Sequence, residues 1–225
     1  MPTILSRSKV SAAVQDYLKR CYRLEKSNDG KVSISMLAKA MNVSAPSATN
    51  MVKRLASLNL VKRRSDGKIK LSPQGNTLAL EVIRHHRLLE TFLVNEMGMD
   101  WAEAHEEAEI LEHYISERFE ALLDKRLSKP TRDPHGEPIP SLAGAVPKQK
   151  LKPILECVEQ ENITIQEIQS RDPAMLNFLQ AHKLTPGTKI RIEEFSPFDG
   201  PVLLKVGKKT QAIGRNVAKC IYSRA

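Results

Sequence analysis

The sequence lacks the features of a membrane, secreted or disulfide-stabilised protein. No stretch approaches the roughly 18 uncharged apolar residues needed to span a bilayer, and residues 1–10 lack the apolar core of a secretory signal. We therefore expect a cytoplasmic protein with no membrane partner. The three cysteines are odd in number, far apart and without C-x-x-C spacing, which argues against disulfides and a zinc knuckle. We expect them to be buried thiols.

Catalytic motifs are also missing. The chain has no His-Glu-x-x-His pair, no phosphate-binding P-loop and no Gly-x-Ser-x-Gly turn. No glutamate lies three residues before a histidine, as a carboxylate-bridged di-iron bundle requires. Internal repeats and low-complexity segments are absent as well. We therefore expect neither enzymatic activity nor a small-molecule substrate.

What the sequence does contain is a strong charge asymmetry. Residues 1–74 hold 15 Lys and Arg against 4 Asp and Glu. Residues 75–145 reverse this balance, with 7 against 14, and residues 146–225 hold 13 against 8. A basic module beside an acidic one suggests a binder of polyanions joined to a binder of cations, although single charge runs are more often only solvated faces.

The basic segment has the pattern of a winged helix. Apolar residues recur at helical spacing from Val10 to Leu24. A short helix ending near Ala40 and a second over 45–58, capped by Ser44 with Pro46 in its first turn, predict a helix-turn-helix. Two strand-like runs, 60–64 and 68–71, then flank Ser65-Asp66-Gly67, a hairpin signal. Five Lys and Arg beside this turn favour a phosphate backbone as partner.

Beyond this module we predict helices and then a small β region. One long helix should cover 76–97 and a second should run from Asp100 to about Leu127, followed by a proline-rich loop over 129–147. Strand-like and helical runs follow; the strands are expected at 154–158, 163–168, 189–192, 202–206 and 220–222, and a helix at 173–182. The fold class is therefore mainly α with small β. The predicted domains are 1–74, 75–145 and 151–225.

Four of the six histidines lie in the two predicted helices of the acidic segment, together with carboxylates at helical spacing. His105, Glu109, Glu112 and His113 are offset by four, seven and eight residues, which would place them on one helical face. His86 and Glu90 are one turn apart on the preceding helix, whereas His85 should point about 100° away, towards the surface. A lone histidine is usually a core residue, but this joint spacing indicates a divalent-metal site.

Together these motifs resemble the diphtheria toxin repressor family of metal-dependent bacterial transcriptional repressors. The resemblance covers nearly the whole chain. It is carried by Ser44-Ala45-Pro46-Ser47, Leu71-Ser72-Pro73-Gln74-Gly75, His86-x-x-x-Glu90 and His105-x-x-x-Glu109-x-x-Glu112-His113. It implies a winged helix-turn-helix, a helical metal-binding and dimerisation domain, and an SH3-like (FeoA-like) C-terminal β domain.

The resemblance also implies two sets of metal ligands. The primary set is Asp16, Glu109, Glu112, His113 and, as in manganese-responsive members, His86. The secondary set is Glu90, His105, Asp133, His135 and Asp172. Asp16 and Glu109 stand where iron-responsive members place Met and Cys, and hard oxygen donors favour Mn(II). Fe(II) is the alternative, and Zn(II), Co(II) or Cd(II) can occupy such sites in vitro. Members with two adjacent manganese ions have glutamate at the position of Lys19, so the lysine argues against a paired-ion centre.

The implied function is a homodimeric, manganese-dependent repressor of metal-homeostasis genes that binds palindromic operator DNA. The DNA-contacting residues would be Ser44, Pro46, Ser47, Asn50, Lys53, Arg63, Arg64 and Lys68. Two rival hypotheses stay open. One is a carboxylate-bridged metalloenzyme with an incidental basic module, and the other is a constitutive DNA-binding protein with a structural metal.

Overall fold

The computed structural model describes residues 10–64 and 67–225, which form two compact units. The first unit comprises the described residues up to His85, together with Glu112–Tyr114 and Pro140–Ala145. The second comprises His86–Leu111, Ile115–Ile139 and Val146–Ala225. Ser65 and Asp66 of the predicted hairpin turn lie outside the described residues. The predicted boundaries of three domains remain a prediction.

The first unit begins with three helices and a two-stranded hairpin, which confirms the predicted winged helix. The elements are α1 (Ala12–Ser27), α2 (Ile34–Ala40), α3 (Ala45–Ser57), β1 (Val61–Arg63) and β2 (Ile69–Leu71). The Ser44 hydroxyl accepts from the Ser47 amide at 3.3 Å and so caps α3. The strands pair antiparallel with Val61 opposite Leu71. Their core contains buried Leu18, Leu37 and Leu55.

Helix α4 (Pro73–Asn95) follows, and its residues up to His85 belong to the first unit. The second unit contains α5 (Trp101–Leu111) and α6 (Glu117–Arg126), so the single helix predicted from Asp100 to Leu127 is wrong. The Glu112 carbonyl lies 3.3 Å from His85 Nδ1, and this contact replaces helical pairing at the break. Ser116 then restarts the helix by accepting from the Phe119 amide at 3.2 Å.

The rest of the second unit is β-rich. Its elements are β3 (Leu151–Pro153), a 3-10 turn (Ile154–Glu156), β4 (Asn162–Thr164), β5 (Glu167–Ile168), α7 (Pro173–Ala181), β6 (Lys189–Phe195), β7 (Val202–Val206), β8 (Lys209–Ile213), α8 (Arg215–Ala218) and β9 (Ile221–Arg224). The strand orders are β3-β9-β5 and β4-β6-β7-β8. The strand expected at 154–158 is wrong because a 3-10 turn lies there. The single strand expected at 163–168 is divided into two strands, β4 and β5, and β8 was not predicted. The fold class, mainly α with a small β region, is confirmed.

The cysteines are free thiols. Cys21 and Cys157 are buried as expected, whereas Cys220 is only partly buried. Burial raises the pKa of the Cys21 thiol to about 12, which keeps it protonated and unreactive near neutrality. Within the described ranges, no helix has the length and apolarity required to cross a membrane.

Candidate metal centres

Asp16, Glu112 and His113 meet in the first unit and form what we call the first-unit cluster. His113 Nε2 lies 3.1 Å from Asp16 Oδ1 and 3.5 Å from Glu112 Oε1. One potential ligand atom from each residue lies within 4.8 Å of the others. Glu112 is fully buried and the His113 side chain is 8% exposed, whereas Asp16 is 33% exposed. The cluster therefore has a buried side and a side that an ion can reach.

Local contacts orient the ring of His113 towards Asp16. The Gln15 amide nitrogen donates to the Val10 carbonyl at 3.2 Å, so its oxygen faces His113 Nδ1, 2.9 Å away. If Nδ1–H donates to Gln15, the lone pair of Nε2 is available to an ion. A hydrogen bond to the non-ligating nitrogen is the usual way in which proteins orient a metal-binding histidine.

Helix α1 and the break after α5 supply the rest of the cluster. Val14, Leu18 and Cys21 lie on a buried face of α1. Asp16 lies on a more exposed side of the same helix. The backbone at Glu112 is held by His85, which is fully buried. The expectation of a surface histidine at position 85 is wrong because its ring completes this contact. The expectation of one continuous helical face from His105 to His113 fails for the same reason.

Lys19 lies beside the cluster. Its Nζ donates to Glu112 Oε1 at 2.5 Å, and the side chains are 4% and 0% exposed. This ion pair was not predicted from the sequence, because it joins residues 93 positions apart. Two signals pointed to Lys19: its place three residues after a candidate ligand on the same helix, and its replacement of the glutamate found in the paired-ion members.

Three histidines surround Glu90 in the second unit, and with Glu109 they form what we call the second-unit cluster. Glu90 Oε1 lies 3.0 Å from His86 Nε2, 2.7 Å from His105 Nδ1 and 3.5 Å from His135 Nε2. Burial alone would raise the pKa of Glu90, but the charge of His86 and hydrogen bonds from the histidines hold it well below its usual range. Glu90 therefore stays an anion at the centre of the cluster.

Glu109 lies at the edge of this cluster. Its Oε1 is 4.0 Å from His86 Nδ1 and 3.9 Å from His105 Nε2, and the three residues offer ligand atoms within 4.8 Å of one another. The residues predicted as the primary set are thus placed in two groups, with His86 and Glu109 in the second unit. Which centre each of them serves remains a prediction.

The position of His135 depends on a buried guanidinium. Arg87 Nε lies 3.3 Å from Asp133 Oδ2, and the same guanidinium pairs with Glu137. Asp133 Oδ1 accepts from the His135 and Glu137 amides, each at 2.9 Å. The loop turns back on itself through these bonds, and His135 reaches Glu90 from it. Arg87 is therefore a structural part of the site that the sequence did not reveal.

Two residues of the predicted secondary set have other partners in the structure. Asp133 holds the loop as described, and burial raises its pKa to about 7 against the opposing charge of Arg87. The Asp172 carboxylate accepts from the Met175 amide at 2.8 Å and so caps α7. Neither carboxylate belongs to the two clusters, and metal binding by either of them remains a prediction.

The donor atoms in both clusters fit a divalent ion of the manganese or iron type. They are imidazole nitrogens and carboxylate oxygens, and no sulfur belongs to either group found among the described residues. His135 Nδ1 is buried and has no hydrogen-bond partner within the described part of the chain. A buried ring nitrogen without a partner is costly for a purely structural histidine and suits a residue that can bind an ion.

The predicted DNA-contacting residues form an exposed surface on the first unit. Seven of the eight are exposed and Lys68 is partly so; these are Ser44, Pro46, Ser47, Asn50, Lys53, Arg63, Arg64 and Lys68. The structure adds Arg54, on the exposed side of α3, and Lys62, which lies opposite Lys70 across the hairpin. A helix and a hairpin that both expose cations suit a polyanionic backbone. The winged helix and the two candidate metal clusters together define a class of DNA-binding metalloproteins.

Comparison with known proteins identifies the family. Family models match three consecutive segments: the iron dependent repressor N-terminal DNA binding domain at 9–68, the iron dependent repressor metal binding and dimerisation domain at 72–141, and the FeoA domain at 152–225. The iron-dependent repressor IdeR of Mycobacterium tuberculosis is 37% identical over 127 residues, which are 56% of this chain and 54% of that protein. The chain thus spans about half the length of the curated relatives it matches.

Solved structures match over a longer stretch. A manganese-dependent transcriptional repressor in complex with manganese is 36% identical, with a TM-score of 0.85 over 94% of this chain and 99% of that one. ScaR with bound Cd2+ is 30% identical, with a TM-score of 0.79 over 94% and 98%. The chain belongs to the diphtheria toxin repressor family of metal-dependent transcriptional repressors, a family of DNA-binding proteins and not of enzymes.

Proposed function

We propose that this protein is a homodimeric, Mn(II)-dependent repressor that binds palindromic operator DNA in the cytoplasm and controls metal-homeostasis genes. One contact carries the proposal. Asp16, on α1 of the segment matched by the DNA-binding model, lies 3.1 Å from His113 Nε2, in the segment matched by the metal-binding and dimerisation model. An ion bound by Asp16, Glu112 and His113 would join α1 to the turn after α5.

The switch follows from this connection. Without an ion, the carboxylates of Asp16 and Glu112 repel each other, and α1 has fewer contacts that fix its position. With an ion, α1 is held, and the recognition helices of a dimer can be kept about 34 Å apart to meet successive major grooves. Moving such an equilibrium from 1:99 to 99:1 needs about 5.5 kcal/mol of differential metal affinity. Residues of the first-unit cluster bind the ion, and α3 with the hairpin reads and holds the DNA.

Manganese is supported by the donor set. Two carboxylates and an imidazole make up the first-unit cluster, and hard oxygen donors favour Mn(II) over softer ions. The structural relative named above was solved with manganese. The relatives found by sequence are named as iron-dependent repressors, so Fe(II) is the second candidate. The metalloenzyme hypothesis has no support from the family.

Binding to operator DNA should depend on metal. We expect fluorescence anisotropy to show affinity about 100-fold higher with Mn(II) than with chelator. Asp16→Asn should lose this difference because it removes one charged ligand, whereas Asp29→Asn, beyond the end of α1, should keep it. Equal binding with and without metal would contradict the switch. If chelation unfolded the chain, as circular dichroism would reveal, the metal would instead be structural.

Replacing Glu109 by cysteine should change the preference among metals. A thiolate favours softer ions, so we expect the Mn(II) concentration for half-maximal DNA binding to rise about tenfold relative to that of Cd(II) or Fe(II). Glu106→Cys is the matched control because it adds a thiol to an exposed position of the same helix. An unchanged ranking of metals in Glu109→Cys would mean that Glu109 does not bind the ion that controls DNA binding.

A further inference from the structure

The Lys19–Glu112 ion pair is buried and lies within the first-unit cluster itself. Lys19 is 3% exposed and Glu112 is fully buried. A buried ammonium is costly to desolvate and persists only beside an anion. Here that anion is a residue that the cluster also offers to a metal. The position of Lys19 on α1, three residues after Asp16, places both side chains towards Glu112.

The competition is for one particular oxygen. Glu112 Oε1 is 2.5 Å from Lys19 Nζ and 3.5 Å from His113 Nε2, and His113 Nε2 is in turn 3.1 Å from Asp16. A metal ion bound to a carboxylate oxygen sits about 2 Å from it. An ion that takes Glu112 Oε1 must therefore displace the ammonium or remain within a few ångströms of its positive charge.

We propose that Lys19 is a built-in competitor of the metal ion. In the metal-free chain the Lys19 ammonium neutralises the Glu112 carboxylate, which is the role that a bound divalent ion would have. Lys19 thereby weakens the affinity of the first-unit cluster and raises the metal concentration at which the protein responds. This inference rests on the metal centre of the proposed function, but it assigns a role to a residue that is not a ligand.

A purely structural lysine would behave differently. If Lys19 served only to stabilise the fold, neutralising it would loosen the cluster and weaken metal binding, or leave it unchanged. A competitor predicts the opposite sign. Removing the charge of Lys19 abolishes its repulsion of the bound ion. It also destabilises the Glu112 carboxylate in the metal-free chain, and both effects tighten metal binding. The direction of the change in affinity therefore separates the two roles.

The experiment isolates the first-unit cluster in the full-length chain. His86→Ala with His105→Ala disables the second-unit cluster, and Mn(II) is titrated into this background while electron paramagnetic resonance measures the free ion. Adding Lys19→Gln, which keeps a hydrogen-bond donor without the charge, should lower the Mn(II) dissociation constant about tenfold or more, at one ion per chain. Lys19→Met should act in the same direction. Lys26→Gln, at an exposed position of the same helix, should have no effect.

Each outcome supports or overturns the inference. An unchanged or weaker Mn(II) affinity in a folded Lys19→Gln variant, checked by circular dichroism, would overturn the role of Lys19 and leave the metal centre intact. The first-unit centre of the proposed function would fail too if two results came together. The His86→Ala, His105→Ala background would bind no Mn(II), and Asp16→Asn alone would leave the metal dependence of DNA binding unchanged. Tighter binding in both Lys19 variants would support the competitor.

Discussion

Arg87→Ala should destabilise the second unit by roughly 3–5 kcal/mol, because removing one partner of a buried ion pair leaves charges without compensation. The Arg87 side chain is 11% exposed and faces Asp133, which is 1% exposed, and Glu137. Its Nη1 also donates to the Pro138 carbonyl at 2.6 Å. Burial would lower the pKa of Arg87, but the two carboxylates raise it overall, which shows that the folded unit favours the charged form.

Urea unfolding followed by tryptophan fluorescence measures this effect. Trp101 is the only tryptophan and lies buried in the core of the second unit. The matched control is Arg126→Ala, which removes an exposed pair with Glu96; the Arg126 side chain is 68% exposed, and we expect a loss below about 1 kcal/mol. Similar losses in the two variants would mean that Arg87 contributes no more than a surface cation.

Gly75→Ala should destabilise the first unit by about 3 kcal/mol or more, as overpacking against backbone does in its severe cases. A Cβ at position 75 would lie 2.0 Å from the Leu60 carbonyl oxygen. That oxygen cannot retreat freely, since it accepts from the Ser72 amide at 2.9 Å. This hydrogen bond joins the start of the hairpin to the start of α4, so operator binding should fall as well.

The sign of the change in stability caused by Gly75→Ala shows whether position 75 is crowded or open. In an open helix position, replacing glycine by alanine stabilises by about 1 kcal/mol, so a gain on thermal unfolding followed by circular dichroism would refute the close approach. Gly214→Ala is the control: no atom lies within 4 Å of its added Cβ, and its φ of −64° suits any residue. We expect that variant to stay within about 0.5 kcal/mol of the parent.

Local signals explain what could be predicted of the fold. Ser44 and Pro46 define the start of α3, and a short run of β-branched and leucine residues defines β7 at the predicted limits, because caps and apolar runs act within one element. The helix break at Glu112 has no such signal apart from Ser116. It depends on the ring of His85, which lies 27 residues earlier. A contact of that range cannot be inferred from the pattern of either segment alone.

The same distinction holds for the candidate metal centres. The spacing of His86 and Glu90 predicts that they share one face of a helix, and their side-chain atoms lie 3.0 Å apart. Gln15, Lys19 and Arg87 were not predicted, because each acts through a partner brought close only by the tertiary fold. Candidate ligands are thus readable from sequence, whereas the residues that contact them from distant parts of the chain are not.

The Lys19–Glu112 pair also changes the charge of the loaded centre. By formal charges, with histidine counted as neutral, Asp16, Glu112 and Lys19 give the metal-free centre one net negative charge. A divalent ion turns this into one net positive charge, whereas a cluster without the lysine would become neutral. Exposed charges act over about 8 Å at physiological ionic strength and buried ones are screened less. Loading would therefore make the DNA-binding region more cationic, so that the ion adds electrostatic attraction for the operator to its effect on geometry.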